Sequence, residues 1–287
     1  MKLGITASTL NPSGYGRWGN ATYQKLKEHG YSASDFDMAN TDSVLYTLPR
    51  KEAETILLHE KNLAQEAGIE ITQVHGPWRY PPQDSTEEDR AERMEKMKES
   101  IRMTAILGCK NWVIHPLMPF GMDDIGTEMA QKTWDINLPF MRELLETAKA
   151  SNVTICLENM PMRKFAIATP AHILQFVRMI NDPYFKICLD TGHVSVFSNL
   201  NLGDEVRALG NEIRVLHVHD NKFGSDLHLM PYFGIIDWRE FALALKDIQF
   251  DGSFSLETMP SAKLPNDIFD DMGKQLARIA QNILSDV

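Results

Sequence analysis

Residues 185–193 read Phe185-Lys186-Ile187-Cys188-Leu189-Asp190-Thr191-Gly192-His193. A short apolar run bounded by turn residues reads as a buried strand, and this one closes on a carboxylate. Across the Thr-Gly turn His193 follows, so Asp190 and His193 can reach one small volume. Working outward, the same form recurs. The run 153–157 closes on Glu158, 214–218 carries His217 followed by His219 and Asp220, and 253–256 closes on Glu257. Upstream, 69–74 closes on His75 and 112–114 on His115. Two further runs, 2–7 and 34–38, bring the expected strands to eight, six of which end in His, Asp or Glu.

Between these runs lie helical stripes at 23–28, 51–67, 86–107, 127–150, 170–180, 202–209, 238–248 and 266–284. Strands that are apolar on both faces and alternate with helices predict a parallel sheet, and eight such units predict closure. The expected fold is therefore α/β, a (β/α)8 TIM barrel formed as a single domain over residues 1–287. In that fold the C-terminal strand ends converge at one mouth while the side chains behind them fill the core. A doubly wound open sheet would more often show a glycine-rich phosphate loop after its first strand. Gly14 and Gly16 form neither GxGxxG nor GxxxxGK[ST].

Composition narrows the class. A length of 287 residues with 43% apolar and 24% charged content suits one soluble α/β barrel. Cys109, Cys156 and Cys188 are scattered, without a CxxC pair. Neither a disulfide framework nor a thiolate zinc site is expected, and a reducing, cytoplasmic compartment fits. No signal-like or membrane-spanning apolar stretch is read. The net charge of −10 argues against a nucleic-acid partner, because phosphate contacts need clustered Lys or Arg. The mixed charges of residues 85–100 read as a solvated helix face. His29, His59 and His172 fall on helices and read as ordinary surface residues.

Each polar strand end has a plain alternative. Glu158 and Glu257 follow apolar runs, where an unpaired carboxylate costs several kcal/mol to bury, so each needs a cation or a barrel-lining arginine. Asp190 is either a ligand or a helix cap. His217 and His219 alternate on a strand and so share a face, with His219 also suited to a role behind the ligands. Asp226 and His228 read as lying in a loop after the seventh strand. Oxygen and nitrogen donors without thiolates suit Zn, Mn, Co or Fe, and carboxylate-rich sites tilt toward Mn or Mg.

In the ordered motifs Leu157-Glu158-Asn159, Leu189 to His193, His217-Val218-His219-Asp220-Asn221 and Leu256-Glu257-Thr258, the chain resembles the xylose isomerase-like TIM-barrel superfamily. That superfamily holds sugar isomerases, sugar epimerases and abasic-site nucleases of the endonuclease IV type. The resemblance to the epimerase branch implies one divalent metal on Glu158, Asp190, His217 and Glu257. The nuclease branch implies up to three zinc ions, with His75, His115, His193, Asp226 and His228 as the added ligands. That branch carries Asp-Arg-His and then a glycine-rich segment, where this chain has Asp226-Leu227-His228 and no phosphate-contacting arginine.

The resemblance therefore implies a metal-dependent isomerase or epimerase of carbohydrate metabolism. It would act on a sugar, sugar phosphate or keto-inositol by proton transfer through an enediolate. Glu158 and Glu257 are the expected proton carriers and His193 the residue that orients a substrate oxygen. Substrate contacts are expected from His75, Trp78, His115, His193, His219 and Lys222. Trp112 and Phe120 are further stacking candidates, and Arg79 and Arg163 further candidates for an anionic substituent. A homo-oligomer is compatible with this reading. The competing readings are a polynuclear-zinc phosphodiesterase and a non-catalytic barrel that binds metal or sugar.

Overall fold

The computed structural model describes residues 1–285. Its strands are β1 (Lys2–Thr6), β2 (Ala33–Asp37), β3 (Glu70–His75), β4 (Asn111–Ile114), β5 (Thr154–Glu158), β6 (Phe185–Asp190), β7 (Ile213–His217), β8 (Asp220–Lys222), β9 (Ser225–Leu229) and β10 (Ser253–Leu256). The helices are α1 (Thr22–His29), α2 (Val44–Thr47), α3 (Arg50–Ala67), α4 (Glu87–Leu107), α5 (Met129–Ala150), α6 (Pro170–Ile180), α7 (Thr191–Ser195), α8 (Leu202–Leu209), α9 (Trp238–Asp247) and α10 (Asn266–Leu284).

Eight strands form one parallel sheet in the order β10-β1-β2-β3-β4-β5-β6-β7. The seam between β7 and β10 closes through Val218, whose N–H donates to Ser255 O at 2.8 Å and whose carbonyl accepts from Glu257 N at 3.0 Å. The result is the eight-stranded barrel expected from the sequence. Helix ends follow local chemistry: α4 starts in a capping box between Thr86 and Asp89, and ends at Gly108, which takes the left-handed conformation that glycine adopts without steric cost. Pro170 opens α6 behind the Thr169 cap.

The main core lies between sheet and helices, with Trp112, Trp238, Phe176, Phe185 and Phe254 fully buried. A separate small cluster, Val113, Cys156, Cys188 and Val215, fills the barrel interior. All three cysteines are free and buried. Among the described residues no helix is long and apolar enough to cross a membrane.

Three expectations are corrected. Asp226 and His228 lie not in an open loop but on β9, which pairs antiparallel with β8 as a hairpin at the barrel mouth. His29 is not a surface residue: it is buried, with Nδ1 3.0 Å from the Tyr15 hydroxyl and Nε2 2.9 Å from Asp270 Oδ1. A helical stripe alone does not reveal this, because α10 covers the polar edge of α1. Thr191-Gly192, read as a turn after the sixth strand, instead opens the short helix α7.

Candidate metal centre

Two register shifts set the floor of the mouth. Along β6 and β7 the pairing runs Ile187 with Ile213 and then Cys188 with Val215, which brings His217 level with Asp190. A one-residue slip reverses the face of every side chain, so this bulge turns His217 inward. Between β2 and β3 the shift pairs Asp35 with Gln73 and Asp37 with His75.

The inner four come together in the structure. One ligand atom each from Glu158, Asp190, His217 and Glu257 lies within 4.8 Å of the others. His217 Nδ1 is 3.0 Å from Glu158 Oε1 and 3.4 Å from Glu257 Oε2. The outer residues form two further groups on the same criterion: His75 and His115 with Glu158, and His193, His219, Asp226 and His228 together. His75 Nε2 and His115 Nε2 are 3.3 Å apart, and His193 Nε2 is 3.4 Å from Asp226 Oδ2.

Four of the histidines share one orientation device. His75, His193, His219 and His228 each donate Nδ1–H to a backbone carbonyl, of Gly76 at 2.8 Å, Asn159 at 2.7 Å, Asp220 at 3.2 Å and Glu257 at 2.9 Å. The Nε2 atoms of His75, His193 and His228 are thereby left facing polar partners at the mouth, and that of His219 faces Asp190 beneath it. His217 is reversed, with Nδ1 toward the carboxylates and Nε2 3.0 Å from Asp35 Oδ2. Asp190 turns out to be both ligand candidate and cap, since its Oδ1 accepts from His193 N at 2.6 Å to start α7. Gly192 is required there, because a Cβ would fall 2.0 Å from the His219 ring.

A cavity of about 1020 Å3 stands on this floor. His75, His115, Glu158, His193, Asp226, His228 and Glu257 line it, together with Trp78, Tyr80, Met122, Met160, Met162 and Met259. Arg163 lies at its exposed rim. His219 and Lys222 do not line it: His219 is fully buried against Asp190, and Lys222 points outward from β8. Trp112 is core packing, its indole N–H bonded to Ser100 Oγ at 2.9 Å, and Phe120 is exposed outside the cavity. Arg79 is held by Glu92 at 3.0 Å and by Gln83 and Thr41.

The donor set fits a divalent cation. Three carboxylates share the inner group, and Glu158 Oε2 and Glu257 Oε2 are buried without a hydrogen-bond partner. Like charges packed this closely away from water are costly unless a cation sits among them. The titrations reflect the strain. Burial alone would lift the Glu158 carboxyl, but the His217, His115 and His75 imidazoles reverse this and hold it well below its usual range. Burial raises Glu257, and His217 does not offset it because the Glu158 charge adds to the rise. Burial would lower His193, yet Asp190 and Asp226 hold it up at about 10, while burial pushes His115 down to about 4.

Asp35 and Gln73 were not singled out from the sequence. For Asp35 a signal lies in Ser34-Asp35-Phe36-Asp37-Met38, where alternation places two carboxylates on one face of a buried strand, whereas Gln73 carries none.

The sequence profile described as xylose isomerase-like TIM barrel matches residues 23–278. The chain belongs to that family. Among its members, an uncharacterized protein of Methanocaldococcus jannaschii is 25% identical over 260 residues, 90% of this chain and 83% of its own length. The L-ribulose-5-phosphate 3-epimerase UlaE of Escherichia coli is 23% identical over 236 residues, 82% of this chain and 80% of its own length. The fold of the family extends to a crystal structure of D-psicose 3-epimerase with D-tagatose from Clostridium cellulolyticum H10. The two chains align with a TM-score of 0.77 over 99% of each at 18% identity.

Proposed function

We propose that this chain is a divalent-metal-dependent sugar epimerase that inverts a carbon next to a ketose carbonyl. The observation that carries the reading is the pair Glu158 and Glu257. Both reach one cavity floor from strands separated around the barrel, and their environments push their titrations in opposite directions. Two carboxyls split in this way suit proton removal and proton return at one carbon. The 3-epimerase relatives agree with that chemistry.

Glu158, Asp190, His217 and Glu257 would hold the cation, which supplies Lewis-acid polarisation of the carbonyl and neighbouring hydroxyl when bound. Either Glu158 or Glu257 takes the carbon proton, and return from the other face completes the inversion. His193 donates Nδ1–H to Asn159 O and turns Nε2 toward the cavity, 3.4 Å from Asp226 Oδ2, where it stabilises negative charge developing on a substrate oxygen. His75 and His115 fix a second sugar oxygen, and Trp78 offers its ring to a C–H face. Arg163 is the available cation for a phosphate substituent, since Arg79 is already paired.

The test is incubation of metal-replete protein with free and phosphorylated ketoses in deuterated water. Deuterium at the carbon beside the carbonyl, with formation of the epimer, is expected. Absence of exchange with every ketose would reject the reading. A second reading is favoured by one observation, that beside the inner four two neighbouring groups, His75 and His115 with the shared Glu158 and His193, Asp226 and His228 with His219, are close enough for further ions. It is phosphodiester hydrolysis, tested by strand scission of abasic DNA. Leu227, roughly half exposed between Asp226 and His228, offers no phosphate contact.

A further inference from the structure

Of the histidines at and beneath the mouth, four rest Nδ1 on a backbone carbonyl, whereas His217 turns Nδ1 to the inner carboxylates and rests Nε2 on a buried carboxylate behind it. That carboxylate is Asp35, on a strand 182 residues away in sequence and 1% exposed. Its Oδ2 accepts from His217 Nε2 at 3.0 Å and from Gln73 Nε2 at 2.9 Å. Gln73 is itself fixed by a second donation to Leu216 O at 3.2 Å, one residue before the histidine. The bulge between β2 and β3 that pairs Asp35 with Gln73 brings these groups level. Asp35 Oδ1 has no hydrogen-bond partner, so the carboxylate is oriented wholly by these donors.

We propose that Asp35 is the positioning residue of this centre. It fixes His217 in the form with hydrogen on Nε2, leaves the Nδ1 lone pair facing Glu158 and Glu257, and strengthens that nitrogen as a donor to a divalent cation. A carbonyl can fix a tautomer, but a full negative charge behind the ring also raises the basicity of the opposite nitrogen. Gln73 serves the same end by holding the Asp35 carboxylate in line. The inference rests on the reading that Glu158, Asp190, His217 and Glu257 hold the cation.

The test uses metal-stripped full-length protein titrated with Co2+ against a chelator, with the visible d–d absorption recorded. Wild type, Asp35→Asn, Gln73→Leu and the ligand control Glu257→Gln are compared, with far-UV circular dichroism as the folding check. Asp35→Asn is expected to weaken Co2+ binding roughly 10–100-fold and to shift the d–d bands. Gln73→Leu should move both readouts in the same direction by less. In Zn2+-loaded wild type, histidine 15N NMR should show His217 protonated at Nε2 with Nδ1 bound, a result independent of whether Asp35→Asn folds. Wild-type affinity and spectrum in folded Asp35→Asn, or Nε2 as the bound nitrogen, would overturn the inference while leaving the metal centre intact. No Co2+ binding by wild type, or undiminished binding by Glu257→Gln, would instead overturn the metal reading and the inference with it.

Discussion

His219 Nε2 lies 3.1 Å from Asp190 Oδ2, beneath the cavity floor and not in it, with its ring stacked on His228 at a centroid distance of 4.0 Å. Thr191 Oγ1 donates to the His219 carbonyl at 2.7 Å and accepts from its N–H at 3.1 Å, so the residue is locked to the start of α7. His219 therefore acts on the site through Asp190.

The first prediction follows from that placement. His219→Gln should weaken metal binding about tenfold or more, because it loosens a ligand from behind. At saturating metal the KM for sugar should stay near the wild-type value. Metal titration together with steady-state kinetics checks both, and a large rise in KM alone would show direct substrate contact.

Glu158→Gln and Glu257→Gln should each lower epimerisation by roughly 10²–10⁴-fold, the usual worth of a positioned proton carrier. The two variants should differ in which epimer still exchanges its carbon-bound hydrogen with solvent. Deuterium wash-in measured from each epimer separately reads this out. Equal, undiminished exchange in both would remove the carboxylates from the reaction.

Metal affinity should rise with pH. Burial opposes a proton on His217, but the Glu257, Glu158 and Asp35 carboxylates outweigh it and hold the titration of the metal-free ring above its usual range. The proton and the cation compete for Nδ1, and raising the pH removes the competitor, so affinity climbs until His217 has lost its proton. If the outer group also takes an ion, additional proton release should be present at neutral pH and fall away as the pH rises through about 9 and about 10, where His228 and His193 lose their protons. Calorimetry in buffers of different ionisation enthalpy counts the protons released at each pH.

Asp220, which follows His219, anchors the hairpin. Its Oδ1 accepts from Asn221 N at 2.9 Å, Ile235 N at 2.9 Å and Ile236 N at 3.2 Å, and its Oδ2 accepts from Trp238 Nε1 at 3.0 Å. Asp220→Asn sets an amide N–H against one of these donors and removes the charge, a loss of about 2–3 kcal/mol for buried bonds to a charged group. Denaturant unfolding measures it, and a change within about 0.5 kcal/mol would show that the hairpin is held by other contacts.

The eight-strand rhythm, the single barrel and the nine polar residues from His75 to Glu257 were legible in the sequence. Short apolar runs, turn residues and helical stripes are local signals, and in a parallel barrel every strand delivers its C-terminal end to the same rim. Local signals cannot say which of those ends touch. The shift at Cys188 turns His217 toward Asp190, and the shift at Asp35 places that carboxylate behind His217. Both depend on pairing between chains of residues far apart in sequence. The sharing of Glu158 between neighbouring ligand groups, the burial of His219 below the floor and the exclusion of Lys222 from the cavity were likewise decided by the tertiary structure, because cross-strand register, not residue order, determines which side chains share a volume.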